Sequence, residues 1–204
     1  MSESAPTLTF EATLWQQDFT RVAGVDEAGR GCLAGPVVAA AVVLNRDRPI
    51  HGLQDSKLLD AATRDELAET IRKKALAVGI GRCSPQEIDD ANILLAALKA
   101  MAKAVDACSP SPDYLLIDGN KAPATIEYPF DTIIKGDMRS QSIAAASIIA
   151  KTHRDNLMHE LHEKHPHYGW NTNVGYPTAA HYDGLKEHGP TAFHRHSFRL
   201  TTSS

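Results

Sequence analysis

The sequence is poor in the features that mark several large classes of protein. It has only three cysteines and no Cys-X-X-Cys pair, which allows one disulfide at most and favours a reducing, cytoplasmic compartment. Its longest apolar stretch, residues 32–44, contains glycine and proline and is too short to cross a bilayer. Residues 1–10 lack the apolar run of a secretory signal, so we expect neither a leader nor a membrane-spanning segment.

Basic residues are not in excess either. Lysine and arginine total 21 against 25 aspartates and glutamates, which gives a formal net charge of −4. This balance argues against binding of nucleic acid through overall positive charge, although an acidic metal site would itself lower the net charge. With 204 residues, 43% of them hydrophobic, the chain is long enough for about one domain with its own core.

Hydrophobic periodicity predicts an α/β domain. Short apolar runs predict strands, and apolar residues three or four positions apart predict helices. The predicted strands cover residues 21–25, 37–44, 77–83 and 114–117, and a further strand ends at 132–134. Four helices are predicted. Two of them begin after N-caps at Asp60 and Asn92, and the other two cover residues 139–164 and 179–187. Strands that precede and separate helices are typical of an α/β fold, and residues 1–8 and 201–204 are expected to be frayed.

Carboxylates stand at the ends of three predicted strands, each beside glycine. They are Asp26 and Glu27 in VDEAGRG, Asp118 in LLIDGN and Asp137 in IKGD. Taken singly, each site has an ordinary structural interpretation, such as a turn former at Asp118, a helix N-cap at Asp137 or a backbone acceptor at Asp26. Ligands gather at strand ends in open α/β sheets, so the three positions together predict a functional site.

Four clustered carboxylates would repel one another and a phosphate, and divalent cations resolve both problems. Oxygen ligands favour Mg²⁺ or Mn²⁺ over zinc, and two such ions stabilise the attacking and leaving oxygens of a phosphodiester displacement. The residues therefore point to metal-dependent phosphodiester hydrolysis. Adjacent strand residues face opposite sides of a sheet, so Asp26 and Glu27 share a metal site only if the strand ends or twists at Glu27.

The GRG turn that follows, Gly29-Arg30-Gly31, places two glycines around an arginine. Glycine allows a nucleic-acid backbone to approach the protein chain closely. Exposed amides in such a turn bind a sugar hydroxyl or a phosphate. A tight turn between two strands, with no further role, is the alternative interpretation.

Eight segments of the chain, in order, resemble the ribonuclease HII family. They are VAGVDEAGRG (22–31), LAGPVVAAAVVL (33–44), LQDSKLL (53–59), EIDDANIL (87–94), LLIDGN (115–120), KGDMRSQSIAAASIIAKTHRD (135–155), GYPT (175–178) and HRHSF (194–198). The resemblance implies a ribonuclease H-like fold, that is, a mixed five-stranded sheet flanked by helices with a C-terminal helical segment. It also implies cleavage of RNA in RNA–DNA hybrids, and incision 5′ to ribonucleotides embedded in duplex DNA.

The same resemblance assigns roles to particular residues. Asp26, Glu27, Asp118 and Asp137 match the family's four metal-binding, catalytic carboxylates. The implied cofactor is Mn²⁺ or Mg²⁺, with two ions during catalysis, and the implied hydrolysis leaves 5′-phosphate and 3′-hydroxyl ends.

Further matches are implied to bind substrate. The GRG turn matches the segment that contacts the 2′-hydroxyl next to the cut, through Gly29, Arg30 and Gly31. Tyr176 matches the tyrosine that packs on the following deoxyribose. Lys57 and Lys151 stand in matching motifs, where they contact phosphate or support the site.

The resemblance also implies partners, a location and a domain layout. The partners are RNA–DNA hybrid and ribonucleotide-containing duplex DNA, bound by a cytoplasmic monomer that serves ribonucleotide excision repair and DNA replication. Residues 20–200 would form the catalytic domain, helical from about residue 165, after a partly ordered extension, residues 1–19. Two positions depart from the family pattern: Cys32 stands where proline is usual, and Leu58 stands where many members have a second lysine.

Other functions remain open at this point. A dense histidine run leaves a structural zinc site as one alternative, although no cysteine lies nearby; it comprises His159, His162, His165 and His167. A histidine-based ribonuclease, which would leave a cyclic phosphate, is a second. Another two-metal nuclease of the same fold, or a hybrid-binding module without activity, completes the set. The module would be expected to have lost the carboxylates, all of which are present.

Overall fold

The structure is a computed structural model that describes residues 5–201. Of the ends expected to be frayed, residues 1–8 and 201–204, the positions 1–4 and 202–204 lie outside the described residues. The strands are β1 (Val22–Ala28), β2 (Val37–Val43), β3 (Ala77–Cys83), β4 (Tyr114–Asp118) and β5 (Phe130–Ile133). The α-helices described are α1 (Thr9–Trp15), α2 (Ala61–Lys74), α3 (Pro85–Ala91), α4 (Ile93–Asp106), α5 (Gln141–Lys164), α6 (Trp170–Asn173) and α7 (Ala179–His188). Short 3₁₀ helices cover Gly136–Met138 and Pro166–Tyr168.

The strands form one mixed sheet in the order β3-β2-β1-β4-β5. The pairs β1–β2 and β2–β3 are antiparallel, whereas β1–β4 and β4–β5 are parallel. A mixed five-stranded sheet flanked by helices confirms the predicted fold. Because parallel strands run in the same direction, the carboxyl ends of β1, β4 and β5 meet at one edge of the sheet.

Helices cover both faces of this sheet. All seven residues of β2 are buried, which explains why its sequence is apolar throughout rather than alternating. One face packs on α4, and the other packs on α5 and α2. At Gly24 the contact with α5 is so close that a Cβ would lie 2.0 Å from the backbone carbon of Ser142. Glycine in β1 therefore lets α5 rest directly on the central strand.

The predicted helix caps at Asp60 and Asn92 are present. The Asp60 carboxylate accepts a hydrogen bond from the Thr63 amide at 2.8 Å, and the Asn92 side chain accepts one from the Leu95 amide at 3.0 Å. The cap of α5 is Ser140 rather than Asp137, and its hydroxyl accepts the amide of Ile143. Asp137 is thus free of the capping role that offered an ordinary explanation for it.

The helix predicted after the Asn92 cap is α4, in which Met101 and Val105 are buried whereas Leu94 is 36% exposed. Small residues also face the sheet: Ala96, Ala97, Ala100 and Ala104 are buried. Alanine allows a helix to approach closely, and here α4 lies against glycines of β3. Alanines thus share the buried side of this helix with Met101 and Val105.

The chain before β1 is tied to the start of α5. Thr7, expected to be frayed, donates its amide to the carbonyl of Arg139 at 3.2 Å and accepts the amide of Gln141 at 3.1 Å. Glu11 is fully buried, and its Oε1 accepts hydrogen bonds from both the amide and the hydroxyl of Ser142. The expectation of fraying is therefore wrong for Thr7, and this segment anchors the turn that leads into α5.

Residues beyond α5 pack against its second half. Tyr168, Trp170 and Leu185 form a buried cluster with Met158 of α5 and Leu33 from the segment after β1. This cluster holds the C-terminal segment beside the GRG turn. Within residues 5–201, no helix has both the length and the apolar character needed to cross a membrane.

Candidate active site

The ends of β1 and β4 bring Asp26 and Asp118 together. Val25 and Ile117 are the last partners in the β1–β4 pairing, so the next residue of each strand lies beside the other. Two positions earlier, Gly24 and Leu116 lie on the side of the sheet that α5 covers. Since strand residues alternate between faces, Asp26 and Asp118 share that side.

Glu27 approaches from the opposite face. It shares a small cavity of about 80 Å³ with Asp118, the GRG turn's Arg30 and the first turn of α4. The strand does not end at Glu27, which was one of the two ways in which a shared site was expected to arise, because β1 pairs with β2 as far as Ala28. What ends is the pairing with β4, so the β4 side of Glu27 is open and its carboxylate lies near those of Asp26 and Asp118.

Asp137 joins the group from the 3₁₀ turn after β5. The amide of its neighbour Gly136 donates a 2.7 Å hydrogen bond to Oδ1 of Asp118, which fixes this turn against the end of β4. The Asp137 carboxylate lies 3.7 Å from Nζ of Lys57. That ammonium is also 3.7 Å from Asp55, a carboxylate that sequence reasoning quoted within its LQDSKLL motif but did not assign to the site.

The electrostatics of these groups reflect their crowding. Burial raises the pKa of the Asp26 carboxyl well above its usual range, and repulsion from Glu27 and Asp118 adds to the shift. Burial also raises the pKa of Glu27, although the guanidinium of Arg30 at 3.2 Å opposes it. Burial and repulsion from Asp55 and Asp118 raise the pKa of Asp137. The site is thus an excess of buried negative charge that a bound cation would relieve.

The carboxylates are not gathered around a single point in this conformation. In the described part of the chain, no three acidic, histidine or cysteine side chains converge closely enough to enclose an ion. Glu27 is turned towards Arg30, and Asp137 towards Lys57. These two residues must exchange their partners for an ion if all four carboxylates are to bind metal together.

The GRG turn leaves β1 directly beside these carboxylates. Gly29 has a φ of +94°, and a Cβ there would lie 2.0 Å from Nε of Arg154, so only glycine fits. Gly31 differs, because a Cβ there would meet only the ring of Tyr176, at 3.9 Å. Gly31 and Tyr176 are therefore neighbours, and a methyl group on Gly31 would fit in ordinary contact with the ring.

Tyr176 lies in a loop that is held from behind. Its amide donates to the carbonyl of Asn173 at 2.8 Å, and its carbonyl accepts from Nδ1 of the buried His181 at 3.0 Å. The ring is 39% exposed and lies 5.8 Å from Nζ of Lys151, which is itself paired with Asp155 at 2.7 Å. Lys151 supports the ring, whereas Lys57 reaches the carboxylates directly.

His181 belongs to a buried imidazole pair that sequence reasoning did not single out. Its Nε2 lies 3.1 Å from Nε2 of His194 and 3.1 Å from Nε1 of Trp170. Burial lowers the pKa of His194 to about 4, helped by the neighbouring His181, so both rings fit this network as neutral groups. The pair positions the Tyr176 backbone and has no access to solvent.

The two departures from the family pattern lie in different environments. Cys32, directly after the GRG turn, is fully buried, whereas Leu58, next to Lys57, is 60% exposed.

A larger cavity of about 580 Å³ lies elsewhere, between α3, the second half of α5 and Phe193, and none of the predicted site residues lines it. The chemistry predicted from the sequence is thus confined to the edge formed by β1, β4 and β5.

The fold and the acidic strand ends define a class of protein, the ribonuclease H-like fold with carboxylates clustered where its central strands end. A family model described as ribonuclease HII matches residues 23–201. The chain therefore belongs to the ribonuclease HII family. It is 56% identical over 196 residues to a ribonuclease HII of Salinibacter ruber, which covers 95% of this chain and 98% of the relative.

Solved structures agree with this assignment. Ribonuclease HII from the PCNA:RNase HII complex of Archaeoglobus fulgidus is similar with a TM-score of 0.74 and 28% identity, covering 90% of this chain and 98% of that one. Bst-RNase HIII in complex with Mn²⁺ is similar with a TM-score of 0.68, covering 98% of this chain and 74% of that one. At 20% identity the second likeness shows the fold alone.

Proposed function

We propose that the protein is an endoribonuclease that cleaves the RNA strand of RNA–DNA hybrids and incises 5′ to ribonucleotides embedded in duplex DNA. Membership of the ribonuclease HII family supports the hybrid-cleaving activity. One observation carries the finer proposal: Asp26 and Asp118 lie side by side next to a glycine turn, and the half-exposed Tyr176 lies beside that turn. We further propose that residues 20–200 form the catalytic domain, acting as a cytoplasmic monomer.

Asp26, Glu27, Asp118 and Asp137 are the residues that would hold Mn²⁺ or Mg²⁺. The donor set fits these ions, because it consists of carboxylate oxygens whose mutual repulsion a divalent cation relieves. Two bound ions would supply Lewis-acid stabilisation of charge on the attacking and leaving oxygens, giving 5′-phosphate and 3′-hydroxyl ends. The Mn²⁺ in Bst-RNase HIII belongs to that protein, and our proposal rests on the carboxylates.

The surrounding residues have separable tasks in this proposal. Lys57, whose side chain is 72% exposed, is placed to bind a phosphate at the edge of the carboxylate group. The GRG turn offers main-chain amides to the 2′-oxygen of the ribonucleotide. Tyr176 offers a ring to the next sugar, and Lys151 lies beneath that ring.

The histidine-based alternative finds no support in the surroundings of the imidazoles. His181 and His194 are close enough to form a pair, but both are fully buried and bonded within the C-terminal segment. General acid–base catalysis needs a group within hydrogen-bond reach of the substrate. The hydrolytic carboxylate chemistry is therefore the function that the geometry supports best.

A direct assay tests this proposal. A duplex with one embedded ribonucleotide is offered beside an all-DNA duplex of the same sequence, with Mg²⁺, with Mn²⁺ and with a chelator. We expect incision of the first duplex only, 5′ to the ribonucleotide, with a 3′-hydroxyl end and no activity under chelation. A 2′,3′-cyclic phosphate, or cleavage that survives the chelator, would contradict the proposal.

Replacing Tyr176 by alanine tests the role of the ring. We expect a loss of about tenfold on a single embedded ribonucleotide and a smaller loss on a long hybrid, since the ring is proposed to pack on a deoxyribose. Melting should change little because the ring is 39% exposed. Tyr176→Phe is the control for the hydroxyl. Equal losses on both substrates, or a melting drop of many degrees, would instead assign the ring to packing.

A further inference from the structure

Two arginines near the GRG turn are buried without an anionic partner. Arg154 is 1% exposed and Arg195 is 0% exposed. Within residues 5–201, no salt bridge includes either of them. A buried charge is costly unless its donors are satisfied, and here main-chain carbonyls satisfy them. The main-chain segments that these two guanidinium groups bind therefore indicate what the two arginines stabilise.

Arg195 binds the carbonyls of the GRG turn itself. Its two terminal nitrogens donate to the carbonyl of Gly29 at 2.7 Å and to that of Arg30 at 2.9 Å. The same guanidinium donates to the carbonyl of Gly35 from Nε at 3.1 Å and from one terminal nitrogen at 3.0 Å. Only the planar fork of arginine presents several donors in this fixed arrangement.

These bonds determine where the amides of the turn point. In a trans peptide the C=O and N–H groups point in opposite directions, so carbonyls turned towards Arg195 turn the amides of Arg30 and Gly31 away from it. Among the described residues, no main-chain acceptor takes either amide hydrogen. Successive amides on one side of a turn form a concave donor site for an oxygen.

Arg154 joins the segment that follows this turn to the loop that carries Tyr176. It donates to the carbonyls of Ala34 at 3.1 Å, Pro36 at 3.0 Å and Val174 at 2.9 Å. The amide of Leu33 adds a 2.8 Å bond to the carbonyl of Gly175. The segment after the turn and the tyrosine loop are therefore held together as one unit.

From this geometry we infer that Arg195 is a positioning residue for ribonucleotide recognition. It holds the carbonyls of Gly29 and Arg30 inward, so that the amides of Arg30 and Gly31 face the 2′-oxygen of the substrate. The inference rests on the proposed function, since it takes a ribonucleotide as the substrate. According to this inference, the preference for a 2′-hydroxyl depends on Arg195, although Arg195 does not touch the substrate.

The test couples a change in the protein to a change in the substrate. Arg195→Lys keeps the positive charge and the stem but cannot span the same carbonyls. The substrates are duplexes whose single embedded nucleotide carries either a 2′-hydroxyl or a 2′-fluorine, which is a poor hydrogen-bond acceptor. The quantity measured is the ratio of kcat/KM for the two substrates, because a purely structural defect would lower both values together.

We expect the hydroxyl-to-fluorine ratio to fall about tenfold in Arg195→Lys relative to the parent protein. Ile71→Ala is the control, since Ile71 is fully buried in the core between α2 and α5, far from the turn. It should lower the melting temperature and leave the ratio unchanged. If Arg195→Lys fails to fold, Phe198→Leu replaces it, because the Phe198 ring stacks 5.2 Å from the Arg195 guanidinium, and a smaller fall in the same direction is expected.

The possible outcomes separate the two proposals. Loss of rate in Arg195→Lys with the parental ratio, or no change at all, would overturn the positioning role and leave the proposed function intact. A parent protein that does not cleave the 2′-hydroxyl substrate would overturn the proposed function itself. A ratio that falls equally in Ile71→Ala would reduce the effect to stability and also overturn the positioning role.

Discussion

Asp118→Asn is expected to reduce cleavage of a duplex with one embedded ribonucleotide by at least about a thousandfold, with the fold retained. Asparagine keeps an oxygen that can accept the amide of Gly136, now bonded at 2.7 Å, so the turn before α5 should survive. What is lost is a negative charge needed to hold the ions, whose stabilisation of the transition state is several kcal/mol. About 4 kcal/mol corresponds to a thousandfold in rate.

Asp26→Asn is expected to be equally inactive and no less stable. Asp26 is 5% exposed, and its charge is repelled by Glu27 and Asp118, so removing that charge relieves burial and repulsion together. Melting is compared with and without Mn²⁺, because binding to the folded state raises the melting temperature of the parent protein. That increase should shrink in both variants.

Asp106→Asn provides the control for these two substitutions. Asp106 is exposed at the far end of α4, away from the first turn that lines the Glu27 cavity. It should keep the parental rate and the parental response to Mn²⁺. Full activity of Asp26→Asn or Asp118→Asn at saturating metal would remove the carboxylates from their assigned role.

Much of the site could be predicted because its residues are marked locally. A carboxylate that follows an apolar run and lies close to glycine can be recognised within a single short segment. Asp26, Asp118 and Asp137 all show this pattern. Because β1, β4 and β5 are parallel, these three carboxylates lie at one edge of the sheet. Local patterns and a few rules of sheet geometry were sufficient for this part.

The arrangement of Glu27 could not be predicted from alternation alone. The rule that adjacent residues face opposite sides is correct here, but it says nothing about where each neighbouring strand stops. Because β4 ends its pairing with β1 earlier than β2 does, Glu27 has an open side that no property of its own segment reveals. Register between distant segments decides this feature.

The supporting residues were missed for a related reason. Arg195 bonds carbonyls about 160 positions away, and Glu11 bonds Ser142 across a separation of 131 residues. Such contacts leave no spacing in the sequence to detect. The available signal was a charged residue within a matched segment, HRHSF, that had been given no role. Charged residues in apolar surroundings are therefore the places where further positioning contacts should be sought.

Gly31→Val is also expected to have a large effect on cleavage. This substitution separates the role of the GRG turn in folding from its contact with the substrate. A Cβ at Gly31 would meet only the Tyr176 ring at 3.9 Å, and its φ is not in the positive range, so the free protein should fold normally. The side chain would fill the space proposed for the ribose, and a misplacement of about 1 Å costs about a hundredfold in rate.

We therefore expect Gly31→Val to melt like the parent protein while losing about a hundredfold or more in kcat/KM on a single embedded ribonucleotide, with Gly31→Ala intermediate. Gly29→Ala is the matched contrast. Its φ of +94° and a Cβ only 2.0 Å from Arg154 should make it lose stability as well as rate. Parental cleavage by Gly31→Val would mean that no sugar packs beside the turn and Tyr176, and that the GRG turn serves the fold alone.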